Sequence, residues 1–314
     1  MSDETPALEI QGLAKTFQLG PWHKPQVALR NVSLTVPRGR VYGCLGPNGA
    51  GKTTTLKLLF GLVRRERGSI RVLGFDHGDP AWRSRVGYLP EHPYLQEGLT
   101  PTEYLTYAAR LSGVPEAQIR GRVAGVLDRV GLGRAANRRM RTFSKGMVQR
   151  AAIAQALVAD PTFLVFDEPM SGLDPLGRSM VRHLISDLRD EGRTVFFSTH
   201  ILSDAEALCD RVAILRDGEV VSEGPLSDVL QVGVDRVDVV CDAVAPDLIT
   251  TVEGATVRLV AGRQIHAFLP ESALPELVSR VAAAGGRVLS VSPMRKSLEE
   301  LFLSKVKGEA SWEA

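Results

Sequence analysis

The segment at residues 40–62 reads RVYGCLGPNGAGKTTTLKLLFGL and carries the clearest fold signal in the sequence. It begins with a short, mostly apolar run of strand length, and from Lys52 onward its apolar residues have helical spacing. Between them stands a G-x-x-x-x-G-K-[ST] sequence, which binds phosphate when a strand precedes it and a helix follows. Its residues are Gly46, Pro47, Asn48, Gly49, Ala50, Gly51, Lys52 and Thr53. Both flanking conditions are met, so this stretch predicts a phosphate-binding loop in an α/β domain.

The loop has the residue types that phosphate binding needs. Glycines let successive backbone N–H groups converge on a phosphate, where a Cβ atom would obstruct them. Lys52 can neutralise charge on the β- and γ-phosphates, the Thr53 hydroxyl can bind Mg²⁺, and Thr54 can reach the α-phosphate. The helix that begins near Lys52 adds the positive end of its dipole.

Two acidic residues, Asp167 and Glu168, follow the apolar run at residues 163–166. In open α/β sheets, ligands bind at the carboxyl ends of the strands, which is where Asp167 is predicted to lie. Asp167 can hold Mg²⁺, and Glu168 can orient or deprotonate the water that attacks a γ-phosphate. Taken alone, the two acids are more typical of a solvated turn, but together with Lys52 they predict a hydrolytic site.

Alternating strand and helix patterns over about residues 8–230 predict an α/β domain with a mostly parallel sheet covered on both faces. We also predict an antiparallel β region in this domain and a helical subdomain over about residues 92–160. Within that subdomain, Thr100, Pro101 and Glu103 form a capping-box helix start.

Residues 231–314 have a different pattern, without a glycine-rich phosphate loop, and predict a small, separate α+β domain. Its strands are predicted at residues 234–240, 256–260, 264–269 and 287–291, and its helices at residues 271–284 and 297–306.

Composition excludes several classes of protein. The 314 residues carry a formal net charge of +2, which argues against a chain that grips nucleic-acid backbones over a wide surface. The three cysteines lack metal-ligand spacing and are typical of buried residues in a reducing compartment. Because no 18-residue apolar run occurs, we expect a soluble chain that reaches a membrane only through a partner.

Four further motifs follow the phosphate loop. They are Ser144-Lys145-Gly146-Met147, Asp167-Glu168-Pro169, Ser171-Gly172-Leu173-Asp174 and Ser198-Thr199-His200. In their order and spacing, the five motifs together resemble the nucleotide-binding subunit of an ABC transporter, over about residues 8–230. The resemblance implies a P-loop NTPase fold, with ATP and Mg²⁺ as cofactors.

The resemblance also implies roles for individual residues. Ser144 and Gly146, at the start of a helix predicted over residues 147–159, would contact the γ-phosphate of ATP bound to a second copy. Asp174 would span the interface between the copies. His200 would hydrogen-bond the γ-phosphate and hold Glu168 and its water, so Lys52, Glu168 and His200 would form the catalytic set.

Upstream, Phe17 lies where the family keeps an aromatic residue that stacks on adenine, although an ordinary core phenylalanine is the competing interpretation. Two departures from the family pattern stand out. The signature reads Phe-Ser-Lys-Gly-Met where Leu-Ser-Gly-Gly-Gln is commonest, and Glu91 replaces the usual glutamine that touches Mg²⁺ and the permease. A carboxylate still binds a hard cation, yet it adds charge, which leaves the role of Glu91 open.

Both departures, with the tail motif at residues 295–302, resemble a branch of exporters whose permease is a separate chain. We therefore expect an ATPase subunit at the cytoplasmic face of the membrane, paired as a homodimer or with another ATPase subunit. It would bind two Mg-ATP and drive an integral membrane permease, contacted through residues 87–107, with no nucleic-acid partner. A soluble ABC ATPase acting on DNA or ribosomes is the alternative, and a nucleotide-binding regulator without turnover is a third hypothesis. The resemblance implies that the contacts to the transported substrate lie on the permease and not on this chain.

Overall fold

The computed structural model describes residues 5–18, 25–230, 236–259 and 264–294. These residues divide into two compact units, and the division falls between Leu226 and Ser227. None of the helices in the described ranges is both long enough and apolar enough to cross a bilayer.

Among its described residues the first unit contains two sheets and six α-helices, and a seventh, one-turn helix spans the division between the units. Its strands are β1 (Leu8–Phe17), β2 (Gln26–Val36), β3 (Val41–Leu45), β4 (Arg67–Val72), β5 (Phe75–Asp76), β6 (Val86–Leu89), β7 (Phe163–Asp167), β8 (Thr194–Thr199), β9 (Arg211–Arg216) and β10 (Glu219–Pro225). Its α-helices are α1 (Lys52–Leu59), α2 (Pro101–Leu111), α3 (Glu116–Arg129), α4 (Lys145–Leu157), α5 (Pro175–Asp190) and α6 (Leu202–Leu208). The helix that spans the division is α7 (Leu226–Val229).

The larger sheet has six strands in the order β10-β9-β3-β8-β7-β6. Its central strands run parallel and only β10 is antiparallel, as the alternating pattern predicted. Every residue of β3, β7 and β8 is buried, because helices and the second sheet cover both faces, and this explains the continuous apolar runs. The parallel register brings the ends of β3, β7 and β8 to one edge, where Asp167 stands opposite Ser198.

The smaller sheet is antiparallel, in the order β2-β1-β4-β5, which confirms the predicted antiparallel region. Apolar residues of this sheet share one buried core with α1 and with the larger sheet, so the phosphate-loop helix is packed on both sides. This packing fixes α1 relative to the strand ends that carry the acidic residues.

The helical region consists of α2, α3 and α4. The capping box at its start is confirmed, because Thr100 Oγ1 accepts the Glu103 N–H and the Glu103 carboxylate accepts the Thr100 N–H. Helix α4 begins at Lys145, two residues earlier than predicted, because Ser144 caps it by accepting the Met147 N–H.

The second unit is a four-stranded antiparallel sheet in the order β12-β13-β11-β14, with two helices packed on one face. The elements are β11 (Arg236–Asp242), α8 (Pro246–Thr250), β12 (Thr256–Leu259), β13 (Gln264–Pro270), α9 (Leu274–Ala283) and β14 (Arg287–Met294). The predicted helix at residues 271–284 begins as a short 3₁₀ turn, and α9 starts only at Leu274. The one-turn helix α8 was not predicted, and the predicted helix at residues 297–306 lies outside the described residues.

Candidate nucleotide-binding site

The phosphate loop connects β3 to α1 at the carboxyl edge of the parallel sheet. Gly46 has no room for a side chain, since a Cβ there would overlap the Leu215 carbonyl and lie 3.0 Å from the Ala50 Cβ. Gly51 precedes α1 with a φ of 108°, a left-handed conformation that favours glycine. A Cβ at Gly51 would also lie 2.8 Å from the Ala28 carbonyl oxygen. The tight loop therefore requires glycine at both ends.

Lys52 is buried at the first position of α1. Its Nζ donates to the carbonyl oxygens of Gly46, at 2.7 Å, and Pro47, at 3.2 Å. The same Nζ lies 3.6 Å from Glu168 Oε1. The ammonium is thus held between the loop and the second acidic residue, in the position from which it can neutralise a phosphate.

Asp167 is fully buried at the end of β7. Its Oδ1 accepts hydrogen bonds from Ser198 Oγ, at 2.5 Å, and from Thr53 Oγ1, at 3.3 Å, whereas its Oδ2 has no partner among the described residues. Burial raises the pKa of this carboxyl above its usual value, although the two hydrogen bonds act in the opposite direction. A buried carboxylate oxygen without a partner, next to a threonine hydroxyl, fits a hard divalent cation such as Mg²⁺.

Glu168 has a left-handed backbone, with a φ of 49°, which is uncommon outside glycine and clusters at functional sites. Its N–H donates to both the carbonyl oxygen and the Oγ of Ser198, at 3.2 and 3.0 Å. The carboxylate is buried between Lys52 and His200, whose Nδ1 lies 2.9 Å from Glu168 Oε1. The structure therefore brings the three predicted catalytic residues together.

Ser198 has a role that the sequence analysis missed. Its hydroxyl bonds to both acidic residues, donating to Asp167 and accepting from the Glu168 backbone. It is the first residue of the Ser-Thr-His motif, but its function depends on the register that places β8 beside β7.

A cleft of about 330 Å³ lies over the loop. Most of the predicted site residues line this cleft: Phe17, Pro47, Asn48, Gly49, Ala50, Gly51, Lys52, Thr53, Thr54, Glu91 and Glu168. Phe17 is half-buried, with Lys15 Nζ 5.3 Å from its ring centre. Gln26 and Ala28 of β2 also line the cleft and were not predicted.

The signature residues lie in a different cleft, of about 500 Å³. Ser144, Gly146 and Asp174 line it, and none of its lining residues belongs to the cleft over the loop. Asp174 accepts the Gly177 N–H at 2.7 Å and so caps α5. A single copy of the chain therefore does not bring these three residues to its own phosphate loop.

Comparison with known proteins identifies the family. A family model described as ABC transporter matches residues 29–171. An uncharacterized ABC transporter ATP-binding protein of Nostoc sp., all4389, is 43% identical over 297 residues, which cover 94% of this chain and 88% of the relative. The chain belongs to the ABC transporter ATP-binding protein family.

Further members of the ABC transporter family support this assignment. The Nod factor export ATP-binding protein I of Ralstonia nicotianae is 35% identical over 242 residues, covering 76% of this chain and 74% of that protein. The dimeric structure of the ATP-binding cassette MJ0796 in a post-hydrolysis state, bound to ADP and Pi, matches with a TM-score of 0.64 and 27% identity. That match covers 70% of this chain and 98% of the MJ0796 chain. The α/β fold and the nucleotide-binding ATPase class predicted from the sequence are thereby confirmed.

Proposed function

We propose that the chain is the ATP-hydrolysing subunit of an ABC exporter, which pairs with a second ATPase copy around two Mg-ATP and drives a separate membrane permease. The observation that carries this proposal is the convergence of Lys52, Asp167, Glu168 and His200 at one edge of the parallel sheet. A positive charge, a cation-binding carboxylate and an acid–base pair are the groups that phosphoryl transfer to water requires.

Each group has a proposed role in ATP binding. The backbone of residues 46–51 and Lys52 hold the β- and γ-phosphates, and Thr54 reaches the α-phosphate. Thr53 and Asp167 hold Mg²⁺, which supplies charge neutralisation on the phosphate oxygens, and Glu91 adds a carboxylate at the rim. Phe17 stacks on the adenine base, because it lies partly exposed at the cleft rather than inside the core.

Hydrolysis needs a water aligned with the γ-phosphate. Glu168 accepts a proton from this water, and its strained backbone and the Ser198 hydrogen bonds aim its carboxylate into the cleft. His200 is bonded to the same carboxylate through Nδ1, so it holds Glu168 in place and can reach the phosphate with its other ring nitrogen.

The two separate clefts support action in pairs. Ser144, Gly146 and Asp174 lie together but apart from the loop cleft of the same chain, so they are free to meet nucleotide held by a partner ATPase. The dimeric MJ0796 relative is consistent with such an arrangement. The partner is a second copy of this chain or a paired ATPase subunit.

Contact with a permease is proposed at residues 87–107. Tyr94 and Tyr107 are 94% and 59% exposed there, and aromatic residues exposed to this degree are typical of interaction surfaces. We therefore propose that the chain works at the cytoplasmic face of the membrane, beside this permease. The direction of transport is proposed as export, since a relative of similar length is a Nod factor export protein.

The catalytic proposal is tested with the Glu168→Gln variant. We expect it to bind ATP and accumulate as a dimer in size-exclusion chromatography with Mg-ATP, while hydrolysis falls at least about a hundredfold. The matched control is Glu271→Gln, which makes the same substitution at an exposed residue outside both clefts and outside residues 87–107, and it should hydrolyse ATP like the wild type. Turnover at the wild-type rate in Glu168→Gln would remove Glu168 from its role.

The transport proposal is tested by capture from cells. A tagged chain should co-purify from detergent-solubilised membranes with a polytopic membrane protein. Recovery only with ribosomes or DNA would instead support the alternative of a soluble ABC ATPase.

A further inference from the structure

Lys145 stands between the two signature residues that are proposed to meet a partner's nucleotide, at the place where the commonest family signature has glycine. It is the first residue of α4 and lines the 500 Å³ cleft with Ser144, Gly146 and Asp174. Its aliphatic stem lies across Gly172, where a Cβ would sit only 2.6 Å from Lys145 Cε and would overlap the ammonium. The lysine side chain can therefore occupy this position in the cleft only because residue 172 is glycine and has no Cβ.

The ammonium of Lys145 has no direct partner among the described residues of this cleft. Lys145 Nζ has no hydrogen bond or ion pair with any residue in the described ranges. The other charged side chains of the cleft are already engaged, since Asp174 accepts the Gly177 N–H and Arg150 donates to the carbonyl oxygens of Gly131 and Gly146. An exposed cation without a partner, in a cleft with a serine hydroxyl, is suited to a highly charged anion.

We propose that Lys145 is a further nucleotide-binding residue, which contacts the terminal phosphate of ATP held by the second copy. This inference rests on the proposed pairing of two copies around ATP. Removal of the terminal phosphate lowers the negative charge in front of Lys145, so the residue strengthens pairing with ATP more than pairing with ADP. The lysine in this signature is then a sensor of the triphosphate and not a neutral replacement for glycine.

The competing role is structural, in which the lysine stem only braces the loop at Gly172. Two substitutions separate the roles. Lys145→Met keeps an unbranched stem of similar length over Gly172 but loses the charge, and Lys145→Arg keeps the charge. If Lys145 is only a brace, Lys145→Met will resemble the wild type and the bulkier Lys145→Arg will be the weaker variant.

The experiment measures the ATP concentration at which half of the protein is dimeric, by analytical ultracentrifugation with Mg²⁺. All variants carry Glu168→Gln to stop turnover. We expect Lys145→Met to raise this concentration at least about tenfold, which is the scale of losing one charge-assisted hydrogen bond, and Lys145→Arg to restore most of the loss. The dependence of dimerisation on salt should also weaken in Lys145→Met.

Two controls accompany these measurements. Lys57→Met makes the same substitution at an exposed lysine of α1 outside both clefts, and it should leave dimerisation unchanged. Binding of a fluorescent ATP analogue to monomers should be equal in Lys145→Met and in the parent, because Lys145 does not line the loop cleft. A parent protein that stays monomeric with ATP would refute the proposed pairing, and this inference with it. A parent that dimerises no better than Lys145→Met would refute only the role of Lys145.

Discussion

Replacement of Arg182 by methionine should destabilise the first unit through Asp204. Asp204, on α6, is fully buried, whereas the Arg182 side chain on α5 is 38% exposed. Asp204 Oδ1 accepts hydrogen bonds from Arg182 Nε, at 3.0 Å, and from Arg182 Nη2. Asp204 Oδ2 has no partner among the described residues, so Arg182 supplies the only compensation that the structure shows for this buried charge.

The magnitude follows from that geometry. Breaking a buried ion pair by removing one partner costs about 3–5 kcal/mol, because the other charge stays buried. Because Arg182 itself is partly exposed, its removal opens a path for water towards the carboxylate, and we expect the lower end of this range, about 3 kcal/mol. For a unit of this size, that loss corresponds to a fall in Tm of about 6–12 °C.

The assay is thermal denaturation of the full chain without nucleotide, followed by circular dichroism. Arg110→Met is the matched control, because Arg110 pairs with Glu116 on the surface and loss of an exposed pair should not change Tm measurably. The double variant Arg182→Met/Asp204→Leu should recover most of the loss, since no buried charge remains. A Tm of Arg182→Met within about 2 °C of the wild type would contradict the reasoning.

Three further outcomes are expected. Thr100→Ala should lower the free energy of unfolding by about 1 kcal/mol, measured by urea titration, because it removes the cap of α2; an unchanged urea midpoint would contradict it. Gly51→Ala should weaken ATP binding at least about tenfold in a fluorescence titration, since its Cβ would collide with β2, whereas Gly125→Ala, with open space around it, should not. In the native protein at pH 8, Ellman's reagent should react slowly with all three thiols, because burial raises their pKa (to about 12 for Cys44) and leaves little thiolate. After denaturation all three thiols should react at once. Rapid labelling of the native protein would refute this prediction. These cysteines are Cys44, Cys209 and Cys241.

Local signals predicted much of this fold. A few consecutive residues are enough to predict the phosphate loop, the capping box at Thr100 and the apolar strands β7 and β8. Turn chemistry and burial act locally at these places. The helix α8 escaped prediction because five residues show no helical period.

Features that depend on distant pairing were not predictable in this way. Ser198 acquires its role only when β8 lies in register with β7, and Gln26 and Ala28 reach the cleft only because β2 passes beside α1. The left-handed backbone of Glu168 likewise has no local sequence signal, since it is held by hydrogen bonds to a strand that comes 30 residues later.

The ion pair between Lys52 and Glu168 affects how inactive variants of this protein should be designed. Exchanging the loop lysine for alanine would remove a phosphate ligand and, at the same time, strand a buried carboxylate without its ammonium partner. In such a variant, weaker ATP binding could not be distinguished from a loss of protein stability. Glu168→Gln removes the acid instead and leaves Lys52 bonded to two carbonyl oxygens, so it is the cleaner choice for stopping the catalytic cycle.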